Sequence, residues 1–263
     1  RGVWRSWPKF LQLLPVVSDL NFPHISATLA AQVPDLETVV VKLNFSRHRF
    51  PKEIIIQCVH WYLRFGLSTR DLEEIMKDRG VSVDHSSIDD WVNKFGPKIE
   101  AIVKKKRKRT GKKWRMDETY VKVKGKWKYL YRAVDENGDT LDFLLTAKRD
   151  AKAAIRFLKK AVKSSGIPEK IYIDKSGSNK KAIEDLNSEQ GLSIEIKQSK
   201  YMNNLVEQDH RGIKRPVKYR QNFREFNSAH KKLKGMEAVR MIYKSQIEGY
   251  SSVGEFFNDL IAA

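Results

Sequence analysis

The fold is decided by the stretch WRMDETYVKVKGKWKYLYRAVDENGDTLDFLLTAKR, residues 114–149, which contains three consecutive strand patterns. The first ends near Gly125, and the second alternates apolar residues at every other position from Trp127 to Ala133. The sequence Glu136-Asn137-Gly138-Asp139 is typical of a tight turn, and a third alternating run begins at Leu141. This stretch therefore predicts three antiparallel strands joined by hairpins.

Downstream of this stretch, helix and strand patterns alternate. An amphipathic helix begins after Asp150, the apolar sequence IYID at residues 171–174 forms a short buried strand, and a helix follows over residues 180–189. A fifth strand is predicted at residues 192–196 and a further helix from about Asn204. Three hairpin strands followed by alternating helices and strands give a mixed sheet with helices on its faces, an α+β or α/β class. The order β-β-β-α-β-α-β-α is that of a ribonuclease H-like fold.

Three acidic residues occupy the positions where such a fold brings side chains together. Asp117 lies on the first strand, Asp174 ends the fourth, and Glu207 lies on the helix after the fifth. Carboxylate oxygens are the ligands that Mg²⁺ prefers, and two such ions can support in-line displacement at phosphorus. The sequence therefore predicts a carboxylate triad that binds two Mg²⁺ ions, with Mn²⁺ as a second candidate metal.

Most other acids of this region are expected to be solvated surface groups. Asp209 is the main rival to Glu207, since it lies two positions further along the same helix. The residues expected to be solvated are Glu118, Asp135, Asp142, Glu184, Asp185 and Asp209.

Three short helix patterns precede the strands. The first spans residues 51–65, the second is capped by Ser68 with Asp71 three positions on, and the third runs from Ser86 to about Phe95. The tight turn after Gly80 favours a helix-turn-helix unit over a generic three-helix domain without DNA contacts. The side chains predicted to meet DNA are those exposed on the third helix, namely His85, Ser86, Ser87, Asp90 and Lys94.

Composition supports a polyanionic partner. The 263 residues include 51 Lys and Arg against 32 Asp and Glu, a formal net charge of +19, which favours nucleic acid. The run KKKRKR at residues 104–109 is expected to be an exposed linker that can also lie on phosphates through Lys104, Lys105, Lys106 and Arg107. The single cysteine, Cys58, is expected to be buried, and the scattered histidines argue against histidine-based metal chemistry.

These patterns divide the chain into five parts: an extension of uncertain order at residues 1–44, a helix-turn-helix domain at 45–103, a basic linker at 104–113, a catalytic domain at 114–250 and a C-terminal tail at 251–263. No apolar run is long enough to span a membrane, which leads us to expect a cytoplasmic protein. Neither a membrane nor a small-molecule substrate is expected as a partner.

From about Arg47 to Gln246 the chain resembles the DDE-type transposases of bacterial insertion sequences, specifically the insertion sequence six group. The pieces that carry the resemblance are GVSVDHSSIDDWV (80–92), WRMDETYVKVKGKWKYLYRAVDENGDTLDF (114–143), IDKSGS (173–178), YMNNLVEQDHRGIKR (201–215) and GMEAVRMIYKSQ (235–246). The resemblance implies a Mg²⁺-dependent enzyme that binds terminal inverted repeats, transfers strands into target DNA to form cointegrates, and works as a homodimer or larger assembly on nucleoid DNA.

The resemblance also implies roles for individual residues. The catalytic acids map onto Asp117, Asp174 and Glu207, and Lys214 matches a basic residue that could hold a DNA phosphate near the metals. The further residues expected near DNA or the site are Lys175, Asn204, Arg211 and Arg215. Two other functions stay open: a DNA-binding protein without catalysis, such as an inactive or repurposed copy, and a ribonuclease H-like nuclease that cuts but does not join.

Overall fold

The computed structural model describes residues 43–199, 204–220 and 223–262. The predicted extension at residues 1–44 lies almost wholly outside the described residues. Val40–Ala263 forms one compact unit, and everything below concerns that unit. None of its described helices is long and apolar enough to cross a membrane.

Three helices open the described chain: α1 (Lys52–Arg64), α2 (Thr69–Asp78) and α3 (His85–Lys105). The capping box predicted at the start of α2 is present: the Ser68 hydroxyl accepts from the Asp71 backbone N–H at 3.1 Å, and the Asp71 carboxylate accepts from the Ser68 N–H at 2.7 Å. Gly80 adopts a φ of 77°, which allows the turn after α2, and Asp84 caps α3.

Helix α3 is longer than the sequence predicts. The expected end near Phe95 is wrong, because the helix continues through Gly96 and Pro97 to Lys105 and buries further apolar residues, Ile99, Ile102 and Val103. It packs along α7 (Phe226–Tyr243). A Cβ atom added to Gly235 of α7 would lie 2.9 Å from the Gly96 Cα, so the two helices touch backbone to backbone there.

The basic segment Lys104–Arg109, which begins in the last turn of α3, is not an exposed linker throughout. Lys104 pairs with the buried Asp142 at 3.2 Å, and Arg107 donates to the carbonyl oxygens of Leu141 and, at 2.6 Å, Ser164. Burial raises the pKa of the Asp142 carboxyl, but the opposing effect of Lys160 and Lys104 is larger. The pKa of Asp142 therefore lies below its usual value. The segment therefore attaches α3 to the sheet, and its exposed cations are Lys105, Lys108 and Arg109.

The five strands form one sheet in the order β3-β2-β1-β4-β5. Their bounds are β1 Lys113–Val123, β2 Lys126–Val134, β3 Thr140–Thr146, β4 Lys170–Ile173 and β5 Glu195–Gln198. The first three are antiparallel neighbours, whereas β4 runs parallel to β1 and β5 parallel to β4. This topology confirms the ribonuclease H-like mixed sheet, with β5 a few residues later than predicted.

Each face of the sheet has its own apolar core. Trp114 and Met116 of β1 pack with α4 (Ala151–Ser165) and α5 (Gly177–Gln190). Val121 and Val123 instead join the core formed with α1, α3, α7 and the second half of α6 (Asn204–Tyr219). Since side chains alternate along a strand, odd-numbered residues of β1 face α6 and even-numbered residues face α4 and α5.

The C-terminal segment is a helix rather than a tail. Helix α8 (Val253–Ala262) buries Phe256, Phe257 and Leu260 in the core that contains α1 and α3. This apolar stripe of three large side chains explains why the segment packs.

Candidate active site

Asp117 lies within β1, and Asp174 directly follows β4, the strand that runs parallel to β1. The parallel ladder between β1 and β4 pairs Arg115 with Tyr172, an offset of 57 residues (172 − 115), which is the offset between the two aspartates (174 − 117). Ile173, the last residue of β4, belongs to the core on the α4 and α5 face, and Asp174 follows it outside the strand. Both carboxylates are half-buried, and Asp174 Oδ1 accepts the Ser176 N–H at 3.0 Å.

Glu207 reaches the same region from α6. It lies exposed in the first turn of that helix and lines a cavity of about 1150 Å³ together with Asp117. Arg211, Lys214 and Lys218 follow it at intervals of three and four residues, so one exposed helix stripe presents one acid and three cations to the cavity. Asn204 and Arg215 also line this cavity, whereas Lys175 is exposed in the loop after Asp174.

The three acids do not form a closed ligand cluster. Among the described residues, the group of three metal-ligating side chains whose atoms all lie within 4.8 Å of one another is Glu73, Asp84 and His85, far along the chain from the cavity. Asp117 and Glu207 line the cavity and Asp174 does not, but all three offer only oxygen, the ligand atom that a hard divalent ion prefers. Neighbouring carboxylates repel one another when no cation lies between them. Glu207 differs from the two aspartates in that it lies on an exposed helix turn.

His210 holds one oxygen of Asp117. Its Nε2 lies 3.1 Å from Asp117 Oδ2, and its Nδ1 lies 3.4 Å from a guanidinium nitrogen of Arg132. A guanidinium can only donate, so Nδ1 is the acceptor and Nε2 carries the proton that is donated to Asp117. The ring is buried, and it therefore fixes the orientation of the Asp117 carboxylate.

Arg132 anchors this arrangement from the neighbouring strand. It lies opposite Asp117 in the β1–β2 register and is fully buried. Its guanidinium donates to both carboxylate oxygens of Glu237 at 2.6 and 2.9 Å and pairs with Asp209 at 2.5 Å. Burial lowers the pKa of Arg132, but the opposing effect of Glu237 and Asp209 is larger. The pKa of Arg132 therefore lies above its usual value.

Asp209 is occupied by structural ion pairs. Besides Arg132 it contacts Arg240 and, at 2.5 Å, Lys244. Burial raises the pKa of the Asp209 carboxyl, but these three cations depress it well below its usual range. Asp209 thus points into the protein while Glu207 points to the cavity, which favours Glu207 as the third acid.

Glu118 is also buried, on the opposite face of β1 from Asp117. Its carboxylate accepts from the Asn179 side chain at 2.9 Å and pairs with Arg149. Burial raises the pKa of Glu118, and Asp117 and Asp174 add to the rise, while Asn179 and Arg149 oppose it. Glu118 therefore ties β1 to α5 directly behind the two aspartates.

The expectation of solvated acids is wrong for four residues. The buried members are Glu118, Asp135, Asp142 and Asp209. Each has cationic or N–H partners inside the protein; Asp135, for example, accepts the backbone N–H groups of Gly111, Asn137 and Asp139. Glu184 is exposed and Asp185 half-buried. In a chain this rich in Lys and Arg, burial of an acid is offset by partners that a single-residue pattern does not reveal.

The residues predicted to meet DNA on α3 differ in exposure. Ser86, Asp90 and Lys94 are exposed, whereas His85 and Ser87 are half-buried. His85 is engaged by Glu73 at 3.0 Å, and the Lys94 ammonium lies 2.7 Å from His48. In the basic segment, Lys106 donates to the Tyr250 hydroxyl at 2.8 Å. Of the predicted set Lys104–Arg107, Lys105 is exposed and the other three are half-buried.

His210, Arg132 and Glu237 are absent from the sequence-based site. A histidine three residues after Glu207 lies one helical turn further on, on the same broad face, and this spacing could have indicated His210. Nothing local marks Arg132 and Glu237, which are 105 residues apart (237 − 132) and meet only in the fold.

Comparison with known proteins shows the family. The family described as "DDE domain" matches residues 111–246. The chain is 42% identical over 221 residues to the "Transposase for insertion sequence-like element IS431mec" of Staphylococcus aureus, covering 81% of this chain and 97% of that protein. The same identity and coverage hold for the "Transposase for insertion sequence element IS257 in transposon Tn4003" of Staphylococcus aureus.

Solved structures with some likeness include two integrase cores. The HTLV-2 integrase catalytic core domain in complex with magnesium has a TM-score of 0.40 at 18% identity, covering 50% of this chain and 86% of that chain. The BIV integrase catalytic core domain has a TM-score of 0.40 at 15% identity, covering 57% of this chain and 95% of that chain.

Proposed function

The chain belongs to the DDE-type transposases of bacterial insertion sequences, in the insertion sequence six group, and on this premise we propose that it binds the terminal inverted repeats of its element and joins them to target DNA. The family makes it an enzyme that cleaves and transfers DNA strands with a divalent metal. Beyond the family's activity, the proposal specifies the DNA that is bound, the terminal inverted repeats. It also specifies the product, a cointegrate, and the residues that bind metal and DNA. The observation that supports it is the cavity that Asp117 and Glu207 line together, with Asp174 directly after the strand that pairs with β1.

Asp117, Asp174 and Glu207 would hold two Mg²⁺ ions, and Mn²⁺ has the same preference for oxygen ligands. When bound, such a pair activates the attacking oxygen and stabilises the leaving oxygen during in-line displacement at phosphorus. Asp117 would be one of the ligands, on the strand that pairs with both β2 and β4. His210 occupies one oxygen of Asp117 and orients the carboxylate, and Arg132 fixes the ring of His210.

The cations of α6 would bind the DNA backbone. Lys214 lies about two helical turns beyond Glu207 on the same exposed stripe, with Arg211 between them and Arg215 beside it. Ammonium and guanidinium groups so placed can fix a phosphate next to the carboxylates without binding the metals. Lys175, exposed after Asp174, would extend this contact.

Helices α1–α3 would bind the inverted repeats. Ser86, Asp90 and Lys94 are exposed on α3, and Lys105 is exposed at its end. In a helix-turn-helix complex the N-terminal part of the recognition helix meets base edges, and cations at its flanks meet phosphates. Since Lys104 and Arg107 are bound within the protein, we assign the phosphate contacts of this segment to Lys105 and not to them.

Joining two element ends to one target requires two active sites, so we propose a homodimer or larger assembly on double-stranded DNA. When bound to this substrate it would lie on the bacterial nucleoid.

The test uses labelled duplex carrying the terminal repeat, an unlabelled target duplex and Mg²⁺. We expect slower-migrating joined products that depend on Mg²⁺. Complexes without any product would instead identify a DNA-binding protein that has lost catalysis, and cut ends without joining would identify a nuclease. Either result would refute the proposed function.

A further inference from the structure

The cavity beside Asp117 lies along one edge of β1. Strand β4 covers only Lys113–Arg115 of that edge, and Phe223 forms a bridge with Val123 at its far end. Between these two points no strand of the described chain lies alongside β1, and residues Thr119–Lys122 line the cavity. The wall of the cavity therefore includes side chains from both faces of the β1–β2 hairpin.

Large aromatic side chains are exposed on this wall. Trp127 is 61% exposed, Tyr120 is 43% exposed, and Tyr219 at the end of α6 is 65% exposed. Tyr120 lies between Trp127 and Tyr129, with ring centroids 6.4 and 5.3 Å away. An exposed group of aromatic rings next to a polar cavity is typical of a ligand-binding surface.

The same wall carries cations next to the rings. The Lys122 ammonium lies 5.4 Å from the centre of the Trp127 ring, and the Arg215 guanidinium 5.9 Å from that of Tyr219. Together with Arg211, Lys214 and Lys218 they give five positive charges in the cavity lining, against the three acids Asp117, Glu118 and Glu207. Aromatic faces alternating with cations suit a chain of flat rings joined by phosphates.

We propose that this cavity binds an unpaired nucleotide segment at the DNA end, with a base stacked on Trp127 and Tyr120 and its phosphates on Lys122 and the α6 cations. A base within a duplex presents only its edges, and its faces are covered by neighbouring bases. A ring on the protein can therefore stack on it only after the base has left the helix or where its strand is single. The inference rests on the proposed function, in which a DNA end reaches Asp117 through this cavity.

The test compares fluorescence anisotropy of two labelled probes with the full chain, a blunt duplex and the same duplex with a single-stranded extension. The Asp117→Asn background excludes chemistry during the titration. We expect the extended duplex to bind more tightly, and Trp127→Ala to weaken that binding about 5- to 150-fold, the equivalent of ~1–3 kcal/mol for one stacked base. Trp127→Phe keeps a ring and should retain most of the affinity.

Phe226→Ala is the matched control, since Phe226 is an aromatic residue 39% exposed outside the cavity wall. It should leave both affinities unchanged, and blunt-duplex binding should be unchanged in every variant. Trp127 is exposed, so its loss leaves the fold intact, which thermal melting checks. The proposal is overturned if Trp127→Ala binds the extended duplex as tightly as the parent, or if it weakens both probes equally. If the wild type fails to join DNA but Trp127→Ala still weakens binding of the extended duplex, the proposed function is refuted and this inference is not.

Discussion

The buried ion cluster behind the active site gives the sharpest stability prediction, tested by replacing Arg132 with methionine. Arg132 is fully buried and makes two hydrogen bonds to Glu237, which is 1% exposed. The substitution leaves Glu237 as a buried carboxylate without its guanidinium, whereas Asp209 keeps Arg240 and Lys244. Removing one partner of a buried pair costs about 3–5 kcal/mol, and the retained partners of Asp209 place this case near the lower end.

A loss of ~3 kcal/mol lowers the melting temperature by about 6–12 °C for a unit of this size. Urea unfolding at neutral pH gives the free energy directly. The matched variant is the double substitution Arg132→Met with Glu237→Leu, which removes both charges. We expect it to recover most of the loss, because apolar residues of similar volume often replace a buried ion pair at little cost. The reasoning is refuted if Arg132→Met costs under ~1 kcal/mol, or if the double variant is less stable than Arg132→Met alone.

Three further results are expected. Glu207→Gln should abolish strand joining and leave the melting temperature unchanged, whereas Asp209→Asn should lower the melting temperature; the opposite pattern would exchange the two assignments. Gly235→Ala should cost about 1–3 kcal/mol in urea unfolding, since its Cβ would lie 2.7 Å from a Leu63 methyl and 2.9 Å from the Gly96 Cα, and a wild-type midpoint would contradict that close packing. The depressed pKa of Asp209 gives stability that is present above its usual value of 3.8 and lost as the pH falls below it, so Asp209→Asn should flatten the acid limb of a stability–pH curve, and an unchanged limb would count against the ion cluster.

Local signals were sufficient for most of the architecture. The order of eight elements from β1 to α6 follows from alternation and turn residues, and the Ser68 capping box and the Asp150 cap of α4 are present as predicted. The predicted end of α3 was wrong because Gly96 and Pro97 usually stop a helix. Here the close approach of Gly96 to Gly235 of α7 favours continuation of the helix. The C-terminal helix was missed because its apolar stripe is short.

The candidate site could be predicted only in part. Asp117, Asp174 and Glu207 could be proposed because strands and helix starts are visible in the sequence, and their joint role stays a prediction. Whether a neighbouring acid is solvated depends on partners from distant segments, and Asp209 meets Arg132 and Arg240 only through the fold. The exposed aromatic residues of the cavity wall, Tyr120, Trp127 and Tyr219, were not predicted either. Alternation along β2 indicates which residues share a face of the sheet, but not which part of that face the helices leave exposed.

The central claim is that Asp117, Asp174 and Glu207 act as one metal-binding unit, and Mg²⁺-dependent joining of a terminal-repeat duplex by three single variants tests it most directly. Asp117→Asn, Asp174→Asn and Glu207→Gln should each abolish joining while binding the repeat with wild-type affinity. Joining at the wild-type rate by any one of the three variants would contradict the claim.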